Sequence, residues 1–218
     1  MSQQKVDYAD ETEIDESLDE LPSDEELDEA AENLEANGFN VIVVDSAEEA
    51  FGEIESLIPG GASVMNGHST TLEEIGFDEH LSEGDHDWEN LSGEIWSIDD
   101  DAERMAARRE AQTADYFLGG INAIAQTGEL VAADRSGSRI GAYPFAASNV
   151  VIVSGINKIV PTLSDALDRL ESVAYPLENE RAKEAYGVDS EIAKQLIFRQ
   201  ELEDDRTTVV LIRDQFGY

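Results

Sequence analysis

The segment from Asn66 to Thr70 has the residue types of an anion-binding loop. It follows a short apolar stretch and leads into a helical pattern. Backbone N–H groups at that junction, hydroxyl groups and a glycine that allows close approach predict a cradle for an anion. The residues concerned are Asn66, Gly67, His68, Ser69 and Thr70. In the alternative interpretation, Thr70 and Glu73 only form a capping box and His68 is a hydrogen-bonded loop histidine.

A second polar loop places two arginines around a Ser-Gly-Ser sequence. A guanidinium group offers a planar fork of N–H donors that suits a carboxylate or a phosphate. We therefore predict ligand contacts from Ser136, Gly137, Ser138 and Arg139. The alternative is that Arg135 and Arg139 are surface arginines paired with surplus acidic residues.

A third loop contains Asn157 and Lys158 directly after an apolar run. Lys158 could contact a substrate or form a structural ion pair with a neighbouring carboxylate, and the pattern leaves both open. Because the carboxyl ends of parallel strands meet on one side of a sheet, we expect the three loops to converge there. Arg139 could instead turn outward and leave Lys158 as the cation of the site. Such a site would suit a small anionic molecule.

His80 and His86 lie in an acidic stretch, Asp78 to Asp87, that contains possible metal ligands. Histidine and carboxylate side chains bind zinc, but this spacing matches no standard site, so an exposed acidic loop is favoured. The chain contains no cysteine, which excludes thiol catalysis and iron–sulfur clusters held by its own cysteines. We expect neither a metal nor another cofactor, and the pattern assigns no catalytic residue.

Strands and helices alternate along the chain in a way that would position these loops. Apolar runs predict strands at 40–45, 62–65, 115–118, 150–153, 195–198 and 207–212, and a hairpin at 121–125 and 129–133. Capping residues and helical spacing predict helices at 23–37, 46–57, 70–75, 102–113 and 161–170. This order is typical of an α/β domain with three layers: a mostly parallel sheet, helices on both faces and an antiparallel hairpin.

The charge balance argues against two classes of binding partner. The chain has 218 residues, 50 Asp+Glu and 14 Lys+Arg, so its formal net charge is −36. Nucleic acids and anionic membranes would repel such a chain, and neither is an expected partner. The excess of carboxylates predicts adaptation to high salt, where screening removes the self-repulsion. No export signal or membrane span is recognisable, which predicts a soluble, cytoplasmic protein.

The domain organisation follows from the same composition. Residues 1–22 are acidic and nearly free of aromatic residues, so we expect a disordered tail. Residues 23–218 have enough apolar residues for one core and form the predicted α/β domain.

Several ordered blocks resemble one known family, the LUD domain. They are IPGGASVMNGHSTTLEEIGF, ADYFLGGINAIAQTGELV, SGSRIGAYPFAASNVVIVSGINKIVPTLSDALDRL and YPLENERAKEAYG. The resemblance covers roughly Leu21 to Phe216 and implies the fold of the wider superfamily of ribose-5-phosphate isomerase, glucosamine-6-phosphate deaminase and CoA transferases. In those more distant relatives, a Gly/Ser/Thr loop contacts the substrate phosphate or acyl carrier, and Asn66 to Thr71 matches it here.

The same resemblance implies a place in lactate utilisation, as a LutC-type protein. This reading makes the chain a non-redox component of an L-lactate oxidation system that binds a small anionic ligand, with iron–sulfur and other subunits as partners. The alternative is a stand-alone enzyme or binding protein for a phosphorylated or CoA-linked metabolite. The sequence leaves open whether a reaction is catalysed and whether the chain forms a homo-oligomer.

Overall fold

The computed structural model describes residues 12–218. Its helices are α1 (Asp24–Ala36), α2 (Ala47–Leu57), α3 (Thr70–Glu74), α4 (Phe77–Glu83), α5 (Leu91–Trp96), α6 (Asp101–Glu110), α7 (Leu163–Arg169) and α8 (Tyr175–Tyr186). Its strands are β1 (Asn40–Val44), β2 (Ser63–Asn66), β3 (Glu89–Asn90), β4 (Tyr116–Gly119), β5 (Ala123–Ala125), β6 (Leu130–Asp134), β7 (Asn149–Gly155), β8 (Ile159–Val160), β9 (Lys194–Phe198) and β10 (Thr207–Ile212). Short 3₁₀ turns lie at Glu16–Leu18, Ala111–Thr113 and Ile156–Lys158, and π-type turns at Ala142–Ala146 and Leu170–Ala174.

The main sheet has six strands in the order β1-β10-β7-β4-β2-β3. Every pair in it is parallel. Along β7, alternate side chains enter the cores on opposite faces, as Val150 and Val151 do. A strand covered on both faces is apolar at almost every position, which explains its run of valine and isoleucine. The predicted α/β fold with a mostly parallel sheet is confirmed.

Helices cover both faces of this sheet. On one face, α1 contributes Leu27 and Leu34 to the core, and both side chains are buried. On the other face, α2 and α4 contribute Ile54 and Phe77. The helix starts follow from local hydrogen bonds, since Ser23 and Glu26 form the predicted capping box of α1. No helix within residues 12–218 is long and apolar enough to cross a membrane.

A second, four-stranded sheet has the order β8-β5-β6-β9. The predicted hairpin is present, because β5 and β6 pair in antiparallel fashion. It lies in this second sheet and not in the main one. The two last predicted strands do not pair with each other: β9 pairs with β6, whereas β10 lies between β1 and β7. α7, α8 and the turn between them pack on this second sheet.

The predicted disordered tail is wrong for its second half, and residues 1–11 lie outside the described residues. Ile14 and Leu18 pack against the core beside the second sheet. The Asp19 carboxylate lies 2.6 Å from the Arg169 guanidinium, whose side chain is fully buried. Such a pair holds residues 12–22 on the domain. Composition missed it because a few contacts, rather than a periodic apolar pattern, order this segment.

Candidate functional site

A cavity of about 300 Å³ opens where the carboxyl ends of β2, β4 and β7 face the end of β6. The three loops singled out in the sequence all contribute to its wall. The predicted residues that line it are His68, Ser69, Thr70, Ser136, Ser138, Arg139 and Lys158. The loops therefore meet at one cavity, although only the first and third follow strands of the parallel sheet, and the second follows β6 of the antiparallel hairpin. That these residues bind a ligand stays a prediction.

Asn66 and Gly67 support the first loop from outside the cavity wall. The Asn66 amide donates from Nδ2 to Asp78 Oδ1 at 2.8 Å. Gly67 donates its backbone N–H to the Leu118 carbonyl at 2.9 Å. A Cβ atom at Gly67 would lie 2.9 Å from Cγ of Arg139. The glycine thus allows the close approach of the second loop.

Gly137 and Asn157 also lie off the wall. Gly137 has φ of +86°, a left-handed conformation that glycine adopts at little cost, and so turns the second loop. Asn157 is buried, and it donates from Nδ2 to Asp19 Oδ1 at 2.9 Å and accepts the Phe216 N–H at 3.2 Å. It joins three chain segments behind the cavity.

His68 and Glu73 form a pair at the cavity. His68 Nδ1 lies 3.2 Å from Glu73 Oε1. The hydrogen bond from His68 lowers the pKa of Glu73, so Glu73 is a carboxylate at neutral pH. The alternative of a Thr70–Glu73 capping box is wrong, because the N-cap of α3 is Ser69 and not Thr70. The Ser69 hydroxyl accepts the Leu72 N–H at 3.3 Å.

Arg139 turns inward and is held by protein acceptors. Its Nε donates to Asp134 Oδ1 at 3.1 Å, and NH1 donates to the Gly120 carbonyl at 3.2 Å. NH2 donates to the Ala133 carbonyl at 2.8 Å and to Asn122 Oδ1 at 3.2 Å. Four of its five N–H donors are therefore used within the protein. Arg139 contributes positive charge to the wall and fixes the ends of β4 and β6.

Lys158 is buried beside the cavity, with 2% exposure. Its Nζ donates to Thr71 Oγ1 at 3.1 Å and to the Ile121 carbonyl at 3.1 Å. These bonds tie the lysine to α3 and to the connection between β4 and β5. The neighbouring Gly120 also makes a close approach, since a Cβ there would lie 2.7 Å from Ser69 Oγ.

Three lining residues that the sequence analysis missed come from α8 and the chain beyond β10: Glu178, Arg181 and Tyr218. Arg181 donates to Glu178 through two bonds of 2.8 and 2.7 Å, and the Tyr218 hydroxyl donates to Glu178 Oε2 at 3.0 Å. Burial opposes ionisation of Glu178, but the bonds and charge of Arg181 outweigh it and lower its pKa. Burial, with the Glu178 charge, raises the pKa of Tyr218, so its hydroxyl stays protonated.

The lining carries more cations than acids. Five of the chain's basic side chains line it, against three carboxylates. The basic residues are Arg108, Arg135, Arg139, Lys158 and Arg181, and the acidic ones are Asp134, Glu178 and Glu191. A chain with only 14 Lys+Arg in 218 residues thus places over a third of them at one cavity. Such a wall favours an anion.

The histidines of the acidic stretch pack as aromatic residues. His86 stacks on Trp88 with ring centroids 4.9 Å apart, and His80 contacts Phe51 edge to face at 4.9 Å. In residues 12–218, no group of three or more His, Asp and Glu side chains is placed to hold a metal ion. The expected exposed loop is therefore in part the helix α4, and its histidines pack against aromatic rings.

The fold and the site define an α/β protein with a cationic cavity at the ends of its parallel strands. The chain belongs to the LUD domain family, whose model matches residues 27–212. This family is associated with lactate utilisation.

A solved structure shares the fold. The crystal structure of a DUF162 family protein from Deinococcus radiodurans, at 1.70 Å resolution, superposes with a TM-score of 0.51 and 13% sequence identity. The match covers 88% of this chain and 99% of that one. No curated protein matches the sequence.

Proposed function

We propose that this protein binds a small anionic metabolite in the cavity and serves as a non-redox, LutC-like component of a lactate-utilisation system. The observation that carries the proposal is the concentration of Arg and Lys at one cavity in a chain of net charge −36. A cationic wall in an otherwise acidic protein supports selective attraction of an anion. We propose lactate utilisation as the process because the LUD domain family is associated with it.

The non-redox role rests on the residues of the chain. It has no cysteine to hold an iron–sulfur cluster, so electrons from lactate would pass through other subunits. We therefore propose cluster-bearing subunits of a lactate oxidation system as partners.

A second candidate function is binding or conversion of a phosphorylated or CoA-linked metabolite. It is favoured by the size of the cavity, about 300 Å³, which reaches the lower end of the range of roughly 300–1,000 Å³ for ligand pockets. This is more space than a three-carbon acid needs.

A binding experiment tests the site directly. Thermal shifts are measured in molar salt with L-lactate, pyruvate, sugar phosphates and acyl-CoA compounds. A ligand at about 100 times its dissociation constant adds roughly 2.7 kcal/mol of stability. Arg108 donates to Ser138 Oγ at 3.1 Å and lines the cavity, whereas Arg109 on the same helix is exposed and does not line it. Arg108→Ala should weaken the shift and the control Arg109→Ala should keep it. A flat screen, or equal effects of the two variants, would contradict the proposed site.

A growth experiment tests the process. Deleting the gene should abolish growth on L-lactate but not on a carbon source that enters metabolism elsewhere, and the wild-type gene should restore it. Unchanged growth and lactate oxidation would leave only the second candidate function.

A further inference from the structure

The His68–Glu73 pair has the arrangement of an oriented general base. A carboxylate can only accept a hydrogen bond, so the 3.2 Å contact places a proton on His68 Nδ1. In the neutral ring the other nitrogen, Nε2, then carries the lone pair. The ring lines the cavity and its side chain is 38% exposed. Nε2 is thus the ring nitrogen left to meet a bound molecule.

A cation is fixed by the same short helix. Glu73, which orients His68, and Thr71, which accepts from Lys158 Nζ at 3.1 Å, both belong to α3. Lys158 also donates to the Ile121 carbonyl, so its position is set from two sides. One helical turn therefore holds a base and a buried ammonium group at one cavity wall.

These two groups are what the removal of a proton next to a carbonyl requires. A base must receive the proton, and a fixed cation must stabilise the negative charge that forms on the carbonyl oxygen. We infer that His68 and Lys158 together catalyse proton transfer at the carbon beside the carbonyl of a small carboxylated or phosphorylated compound. This inference rests on the proposed function, because it acts on the anion bound there.

The step balances without an oxidant. The C–H bond breaks and its proton moves to His68 Nε2, while its electron pair forms the C=C bond of an enolate. The carbonyl π pair moves to the oxygen, whose charge faces Lys158. Return of the proton from the imidazolium, to the same carbon or its neighbour, restores a carbonyl compound. Glu73 stabilises the imidazolium and is a positioning residue.

The tautomer of His68 can be measured without any ligand. Long-range ¹H–¹⁵N spectra of the imidazole groups should show His68 protonated at Nδ1. His86 is an internal reference of the opposite type, because its Nδ1 accepts the Trp88 N–H at 3.1 Å and its Nε2 lies 3.1 Å from the Leu81 carbonyl. Glu73→Ala should remove the Nδ1–H signature of His68 and leave His86 unchanged. A wild-type His68 protonated at Nε2 would overturn the inference.

The reaction can be measured as exchange in D₂O. Pyruvate, dihydroxyacetone phosphate and acetyl-CoA are incubated with the protein, and loss of the ¹H signal beside the carbonyl is followed by NMR. At least one probe should exchange faster with protein than without it. His68→Gln should slow this exchange about 10²- to 10⁴-fold, the usual contribution of a general base, when each protein is saturated with the probe. Glu79→Gln, an exposed control beyond α3, should exchange like wild type.

The outcomes separate the two proposals. A probe that binds but does not exchange, or a His68→Gln variant that exchanges at the wild-type rate, overturns the catalytic inference and leaves the binding site standing. If no probe binds or exchanges, the proposed function fails and the catalytic inference fails with it.

Discussion

The Asp78 carboxyl group, which accepts a hydrogen bond from the Asn66 amide, adds a pH dependence to stability. Burial raises the pKa of Asp78 to about 6 from 3.8, and the nearby Glu73 charge adds to the effect. Between these two values the folded protein binds more protons than the unfolded chain, so this group's contribution to stability falls as pH rises through that window. Above pH 6, Asp78 is ionised in the folded protein, and its largely buried charge lowers the free energy of unfolding.

We predict that Asp78→Asn stabilises the protein at pH 7. Asparagine carries no charge and its carbonyl oxygen can still accept the Asn66 amide bond of 2.8 Å. The gain should be at most about 3 kcal/mol, from roughly two pKa units at 1.36 kcal/mol each. Urea unfolding at pH 4 and pH 7 measures it, with exposed Glu79→Gln as the control. Equal changes with pH in the variant and in wild type would contradict the assignment.

At the residue scale, the sequence predicted part of the cavity wall but not how its side chains are bonded. Arg139 was expected to hold a ligand, yet its donors reach Asp134, Gly120, Ala133 and Asn122. Two of these acceptors are backbone carbonyls from two different strand ends. The direction of these carbonyls depends on how the strands pack together, and residue types alone do not determine it.

At the scale of elements, the segment at residues 12–22 acts as a strap along α7 and the turn that follows it. Its anchor is Asp19, which contacts fully buried Arg169 and also accepts the Gln215 amide at 2.8 Å. Removing one partner of a buried pair leaves the other charge without compensation. The strap therefore carries more of the stability than its composition suggests.

We predict that Asp19→Ala destabilises the fold by about 3–5 kcal/mol. Asp24→Ala is a matched control, because Asp24 lies 2.9 Å from Arg213 but is 92% exposed. An exposed pair contributes about 0–1 kcal/mol. Denaturant unfolding of both variants measures the difference. Similar losses in the two would show that the buried pair does not anchor the segment.

Sequence signals that depend on neighbouring residues, such as helix caps, predicted most of the elements in which they occur. Ser46 caps α2 as expected and accepts the Glu49 N–H at 3.2 Å, because a cap depends on residues only three apart. α8 was missed, and with it Glu178 and Arg181 of the cavity. Its apolar pattern is weak, and its place against the second sheet depends on long-range packing. Its cavity residues lie on a helix, whereas the positional rule for parallel sheets applies to the loops after strands.

At the scale of the whole molecule, surface charge governs the response to salt. The net charge of −36 produces self-repulsion in the folded state. At about 0.1 M ionic strength the Debye length is about 10 Å, and at 1 M it is about 3 Å. Repulsion between carboxylates therefore acts over longer distances in dilute salt.

We predict that the melting temperature falls by several degrees when NaCl is lowered from molar concentration to about 0.1 M, where screening weakens. Differential scanning calorimetry measures the change, and KCl at equal ionic strength is the control for specific sodium binding. A melting temperature that stays constant over this range would show that the carboxylate excess is not an adaptation to salt.

The place of β10 in the main sheet has a consequence for folding. This strand, Thr207–Ile212, lies between β1 and β7 and is the partner that joins β1 to the sheet. During synthesis, Asn40–Val44 leaves the ribosome long before its neighbour exists, so β1 cannot complete its ladder. Such high contact order slows folding and leaves apolar strand edges exposed to aggregation meanwhile. The acidic first half of the chain, with 33 acidic residues and one basic residue in 1–103, would keep waiting chains apart by mutual repulsion.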